Sequence, residues 1–163
     1  MDDIQKKKTL TPGAARLKIE SWCAWQDRAQ QEARDKLYDW GLHQADVENI
    51  IAELIEQNFL NEERFALAYA KGKFNQKHWG KIKIKQGLKA KQVSDPLIKK
   101  SLGSLNYDDY LMVIRQVLEK KSRTEKEKHP QKRQYKLQQY AYGRGFEPAL
   151  IREVLASSDL LKS

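Results

Sequence analysis

The sequence is poor in the residues that cross-link or interrupt a chain. Its one cysteine, Cys23, has no partner for an internal disulfide. A lone thiol in an apolar, aromatic stretch fits a small core side chain in a reducing compartment. Glycine (8) and proline (4) are few among 163 residues, and β-branched runs are missing, which favours helix over sheet. No apolar window approaches the roughly 18 residues that would span a membrane. The first eight residues, Met1 to Lys8, have no apolar stretch behind their charges, so they do not read as a signal peptide, and a cytoplasmic location is expected.

Chemical motifs are equally scarce. Gly80-Lys81 lacks the earlier glycine and the following Ser/Thr of a phosphate-binding loop. His43, His78 and His129 lie far apart, with no second histidine at metal-ligand spacing, and are read as surface residues. No nucleophile–base constellation stands out. The carboxylates of the first third alternate with apolar positions as a solvated helix face does. The expectation is a protein that is not an enzyme, with no catalytic residue, no cofactor and no metal.

What is present is charge, unevenly spread. The net charge is +9. Residues 11–63 hold 5 Lys/Arg and 11 Asp/Glu, whereas residues 64–94 hold 9 Lys/Arg and no acid. Such asymmetry suits a surface that meets a polyanion or an acidic protein groove. A lysine-rich face that merely keeps the chain soluble fits the composition as well.

A pattern also recurs. Leu42, Val93 and Phe146 are 51 and 53 residues apart. Nine positions upstream stand Ala33, Ile84 and Leu137, and five upstream stand Leu37, Leu88 and Ala141. Five downstream stand Val47, Ile98 and Ile151. These are one-face helical spacings on either side of a short turn. Gly41 and Gly145 end the first helix of their pairs, and Gln92 occupies the matching place in the middle copy, a weaker turn signal. A further helix precedes each pair, opened by Thr11-Pro12, Asn61-Glu62-Glu63 and Asn106-Tyr107-Asp108-Asp109. Leu17, Trp22 and Trp25, then Phe65, Ala68 and Tyr69, then Leu111, Ile114, Val117 and Leu118 supply the apolar residues of those helices. The segment 119–136, highly charged and broken by Pro130, is expected to be a frayed helix end, an exposed loop and the next helix start.

The expected fold class is therefore all-α: a tandem array of three three-helix modules, elongated or curved. A flexible basic N-terminal tail takes residues 1–10, the modules take 11–58, 59–105 and 106–158, and a C-terminal tail takes 159–163.

In the middle module Lys81, Lys85 and Lys89 are spaced i, i+4, i+8 and line one side of a helix, with Ile84 and Leu88 on a neighbouring side. Like charges at that spacing repel by a few tenths of a kcal/mol, roughly, per pair. A stripe that faces phosphates or acidic side chains explains why the chain tolerates this. Lysine stems covering apolar surface would explain it too. Lys71, Lys73 and Lys77 could extend the surface, and Lys132, Arg133, Lys136 and Arg144 are further candidates for partner or nucleic-acid binding. Trp79 fits either a core anchor or a contact aromatic. Phe65 reads as core, and Arg64 as a structural residue that pairs locally or with a neighbouring module.

Two segments resemble the RecX family: Asn61-Glu62-Glu63-Arg64-Phe65-Ala66, an acidic-Arg-aromatic-Ala helix start, and Gly80-Lys81-Ile82-Lys83-Ile84-Lys85, a glycine-basic-Ile helix start. Arg144-Gly145-Phe146 followed by Ile151 is similar to the family's C-terminal end. Glu62 stands where the family often has aspartate. The resemblance runs over about residues 14–156 and is strongest at 58–102. It implies a regulator of the RecA recombinase that lies in the groove of the filament on single-stranded DNA. Such a protein restrains ATPase, strand exchange and coprotease activity in DNA repair and recombination and in the SOS response. The partners it implies are the recombinase filament and single-stranded DNA, met by a monomer with no membrane contact. A stand-alone helical DNA-binding protein remains the alternative, and an adaptor for an unrelated protein a third.

Overall fold

The structure is a computed structural model that describes residues 9–161. Most of the tail expected at residues 1–10 therefore lies outside the described residues. Among them are nine helices and no strand: α1 (Pro12–Trp25), α2 (Gln30–Asp39), α3 (Gln44–Glu56), α4 (Glu62–Lys77), α5 (Lys81–Ala90), α6 (Asp95–Gly103), α7 (Tyr107–Thr124), α8 (Pro130–Gly143) and α9 (Pro148–Ala156). They pack in consecutive threes.

The cap chemistry accounts for the starts of the three leading helices. The Ala14 N–H donates to Thr11 Oγ1, the Arg64 N–H to Asn61 Oδ1 at 2.9 Å, and the Asp109 N–H to Asn106 Oδ1 at 3.0 Å. Pro12 follows its cap directly, where a missing N–H costs nothing. Across a shift of 51 residues, α2 and α3 superpose in register on α5 and α6: each begins and α2/α5 end at matched positions. Gly41, Gln92 and Gly145 all have positive φ, at 85°, 59° and 98°. The middle copy thus keeps the left-handed turn without the glycine that normally marks it.

The periodic residues of the second and third helices are buried as their spacing requires: Ala33, Leu37, Val47, Ile84, Leu88, Ile98, Leu137, Ala141 and Ile151 all lie inside. The leading helices differ from the sequence expectation. In α1 the buried face is Ala15, Ile19 and Cys23, while Leu17 and Trp25 are 70% and 81% exposed. In α4 it is Phe65, Ala66, Ala70 and Phe74, with Ala68 exposed, and in α7 Tyr110 joins Ile114, Val117 and Leu118. In α1 and α4 the small residues Ala15, Ala66 and Ala70 let the helix sit close on its partners, while Ile19, Phe65 and Phe74 fill the space beside them.

The charged segment is more helical than its composition suggests. α7 runs to Thr124 and α8 starts at Pro130, leaving a short link. Arg133 explains the order there. Its guanidinium donates to the backbone oxygens of Ser122 and Glu125, at 3.0 and 2.9 Å, and of Glu127, closing the C-terminal end of α7.

Two cores result. Ala15, Ile19, Leu37, Val47, Ile51 and Leu54 centre the first. The second is continuous through α4–α9, with Phe74, Tyr110 and Phe146 in ring contact, and Leu160 and Leu161 at the C-terminal end pack against it.

Candidate partner-binding groove

The backbone sets the position of α5. A Cβ on Gly80 would lie 2.3 Å from the carbonyl of Gly145, and one on Gly145 would lie 2.3 Å from Lys83 Cβ. Two glycines thus permit main chain to touch main chain, and the Gly80 N–H donates to Arg144 O and the Ile82 N–H to Gly145 O, each at 2.9 Å. The Lys81 N–H, an orphan donor of the first helical turn, donates to Tyr110 Oη at 2.9 Å, and that buried hydroxyl donates in turn to Glu147 Oε1. Burial, then the adjacent Glu147, holds the Tyr110 phenol well above its usual range.

From this anchored start α5 lays Ile84 and Leu88 against the core and leaves Lys81, Lys85 and Lys89 along a groove shared with α6. From α6 come Lys99, Leu102, Gly103, the buried Ile98, and Asp95 as the single acid of the lining. The groove has a volume of about 530 Å³. Among the described residues no ion pair involves Lys85, Lys89 or Lys99. The Lys81 ammonium stands 5.1 Å from the centre of the Tyr110 ring.

The remaining sequence candidates do not join this groove. Lys71 lies on the other side of α4, beside Asp27, Glu63 and Arg64. The Lys73 and Lys83 ammonium groups both stand against Trp79, at 4.9 and 4.6 Å from its ring centre, and Trp79 is partly buried against the core. Lys77 is exposed at the end of α4, where its carbonyl accepts from Arg144. Lys136 is engaged by Glu125 and Glu127, whose carboxyls are held below the usual range first by backbone N–H groups of Glu127 and His129. Lys132 is exposed near them, and Arg133 is a structural cap. Arg144 instead lines a second cationic recess of about 410 Å³ with His78, Lys120, Arg123 and Tyr140.

Sequence reasoning missed Lys99, Lys120 and Arg123. Lys99 carried a usable signal: it stands 51 residues after Glu48, so the repeat itself places it across the groove from α5. Arg64 is structural, pairing with Asp27 of the preceding module and with the carbonyls of Asn58 and Phe59.

Among the described residues no cluster of three His, Cys, Asp or Glu is placed to hold a metal, and no helix is long and apolar enough to cross a membrane. Fold and surface together define a helical repeat protein whose middle module carries an open cationic groove. Residues 61–102 match the RecX second three-helix domain, and residues 108–155 match the RecX third three-helix domain. The chain belongs to the RecX family.

Its relatives agree. It is 34% identical over 134 residues to a "Regulatory protein RecX" of Clostridium acetobutylicum, covering 78% of this chain and 61% of that protein. It is 28% identical to the protein of the same name from Streptococcus uberis, covering 82% and 51%. This chain thus spans about half to three fifths of the length of these curated relatives. The crystal structure of RecX from Lactobacillus salivarius shares the fold, with a TM-score of 0.83 over 91% of this chain and 97% of that one, at 21% identity.

Proposed function

We propose that this chain is a regulatory protein, without catalytic activity of its own, that binds a RecA-type recombinase filament on single-stranded DNA in the cytoplasm and restrains it. Family membership supports the class of activity. The observation that carries the binding surface is the placement of Lys81, Lys85, Lys89 and Lys99 around one open groove. A monomer laid along the filament, with its basic modules on an acidic protomer surface or DNA phosphates and its acidic first module on a neighbouring protomer, would bridge subunits. Bridging opposes ATP-driven strand exchange, coprotease activity and growth at the filament end.

The test is recombinase ATPase on single-stranded DNA during titration with this protein. Activity should fall, and co-sedimentation with filaments should be lost in the triple variant Lys81→Glu/Lys85→Glu/Lys89→Glu. Unchanged ATPase at micromolar excess would sink the proposal. The cationic groove also suits a stand-alone DNA-binding protein. In that case binding needs no recombinase, and affinity through about six phosphate contacts should drop ~10³-fold or more between 50 and 200 mM salt.

A further inference from the structure

The repeat supplies an internal template for what the groove binds. In the first module, the positions 51 residues before Lys85 and Lys99 are Arg34 and Glu48. They face each other across α2 and α3 and form a two-pronged ion pair, Arg34 Nε to Glu48 Oε1 at 2.8 Å and Nη2 to Oε2 at 3.3 Å. The first module thus places its own carboxylate beside the cation of its second helix. In the third module the corresponding groove is lined by Gln138, Tyr142 and Arg152, with one cation and no facing charge. Only in the middle module do cations stand on both walls, with Lys99 where the template has a glutamate.

Lysines on both walls repel one another, and Asp95, the one acid among the described residues that line the groove, forms no ion pair with them. The arrangement lacks the one group that its sister module provides internally. We propose that the α5–α6 groove is a receptor for a carboxylate side chain of an acidic protein segment, which takes between Lys85 and Lys99 the place that Glu48 takes beside Arg34. The pairing of Arg34 with Glu48 at the matching positions favours a peptide carboxylate as the occupant, and a nucleic-acid phosphate is the outcome that would overturn it. The uncharged Leu102 and Gly103, which also line the groove, leave room for an adjoining side chain. This rests on the reading of the chain as a filament regulator, and specifies the chemistry of the partner surface.

The experiment uses fluorescein-labelled hexaglutamate and a fluorescein-labelled six-nucleotide oligothymidylate as probes, at low salt, with the full chain. The variant Lys99→Glu restores the carboxylate of the template and should satisfy Lys85 from within. Hexaglutamate affinity should fall at least 10-fold in this variant. The control Lys120→Glu, with the same charge change on another exposed surface, should lower it less than 3-fold. Oligothymidylate binding should respond equally to both substitutions. Far-UV circular dichroism melts check that both variants fold, which the exposure of both side chains leads one to expect. An equal loss of hexaglutamate binding in the two variants overturns the inference. So does a loss confined to oligothymidylate in Lys99→Glu, which would make the groove a phosphate site. Filament co-sedimentation separates the two readings. If filaments are bound but hexaglutamate ignores Lys99→Glu, the carboxylate receptor falls and the regulator stands. If hexaglutamate responds and filaments are not bound, the reverse holds.

Discussion

Gly80 and Gly145 show how much of this molecule depends on single atoms. Neither has room for a methyl group, because the atoms in the way are backbone or the first carbon of a side chain, and these cannot swing aside. Gly145 also needs its positive φ of 98°. Gly145→Ala and Gly80→Ala should each cost about 3 kcal/mol or more, as the clash can be relieved only by separating α5 from the α8–α9 turn. Urea midpoints measure this, and a loss under 1 kcal/mol would show that the approach is not tight. Cys23 presents the opposite case, a residue whose chemistry the fold suppresses. Burial raises its thiol from the ordinary 9.0 to about 11, with nearby Arg28 pulling weakly the other way. The folded state therefore holds this proton more tightly than the unfolded one, and the associated stability is full below about pH 9 and lost as pH rises through 11. At pH 8 the native thiol should react with iodoacetamide at least about 100-fold more slowly than in the urea-denatured chain, given the two-unit gap. Comparable rates would contradict the burial.

At the scale of the helix, one hydroxyl joins two starts. Tyr110 Oη accepts from the first turn of α5 and donates to Glu147, which precedes the first turn of α9. Tyr110→Phe keeps the ring stacked beside Phe74 and removes both bonds, leaving the Lys81 N–H and a partly buried carboxylate without their partner. A loss of about 1–3 kcal/mol is expected. Glu147→Gln retains an acceptor and should lose less, a ranking that paired denaturation curves test. The helices themselves were largely readable from the sequence, because periodicity at 3.6 residues and the caps Thr11, Asn61 and Asn106 are local properties. The inward faces of α1 and α4 were not. Trp25 is more hydrophobic than Ala15, yet Ala15 is inside, since how closely three helices approach is decided by side-chain volume in three dimensions. Gln92 shows the same limit in the turns: its left-handed φ follows from the repeat register and not from its own residue type.

For the whole molecule, the stripe Lys81, Lys85 and Lys89 was visible as an i, i+4, i+8 series, but its far wall was hidden in the repeat, and the scattering of Lys71, Lys136 and Arg144 could not be seen in a linear charge count. The two cores predict how the molecule comes apart. The first module buries its own small cluster and meets the rest through a small apolar seam, with Ala29 in the second core and Leu60 in the first, and through polar links: Arg64 with Asp27, Lys91 with Glu32 at 3.5 Å, and the Gln30 N–H donating to Glu62. Links of this kind are partly exposed and each contributes little. The second and third modules share one core and a backbone-to-backbone seam, so they should unfold together. Three of the four tryptophans, Trp22, Trp25 and Trp40, belong to the first module and only Trp79 to the others, which gives each unit its own probe. In urea, tryptophan fluorescence should change at a lower midpoint than far-UV circular dichroism, with the dichroism curve showing a second, larger step. Gly145→Ala should move that second step and leave the first where it was. Coincident curves for both probes in the parent chain and in the variant would mean that the polar links couple all three modules into one cooperative unit.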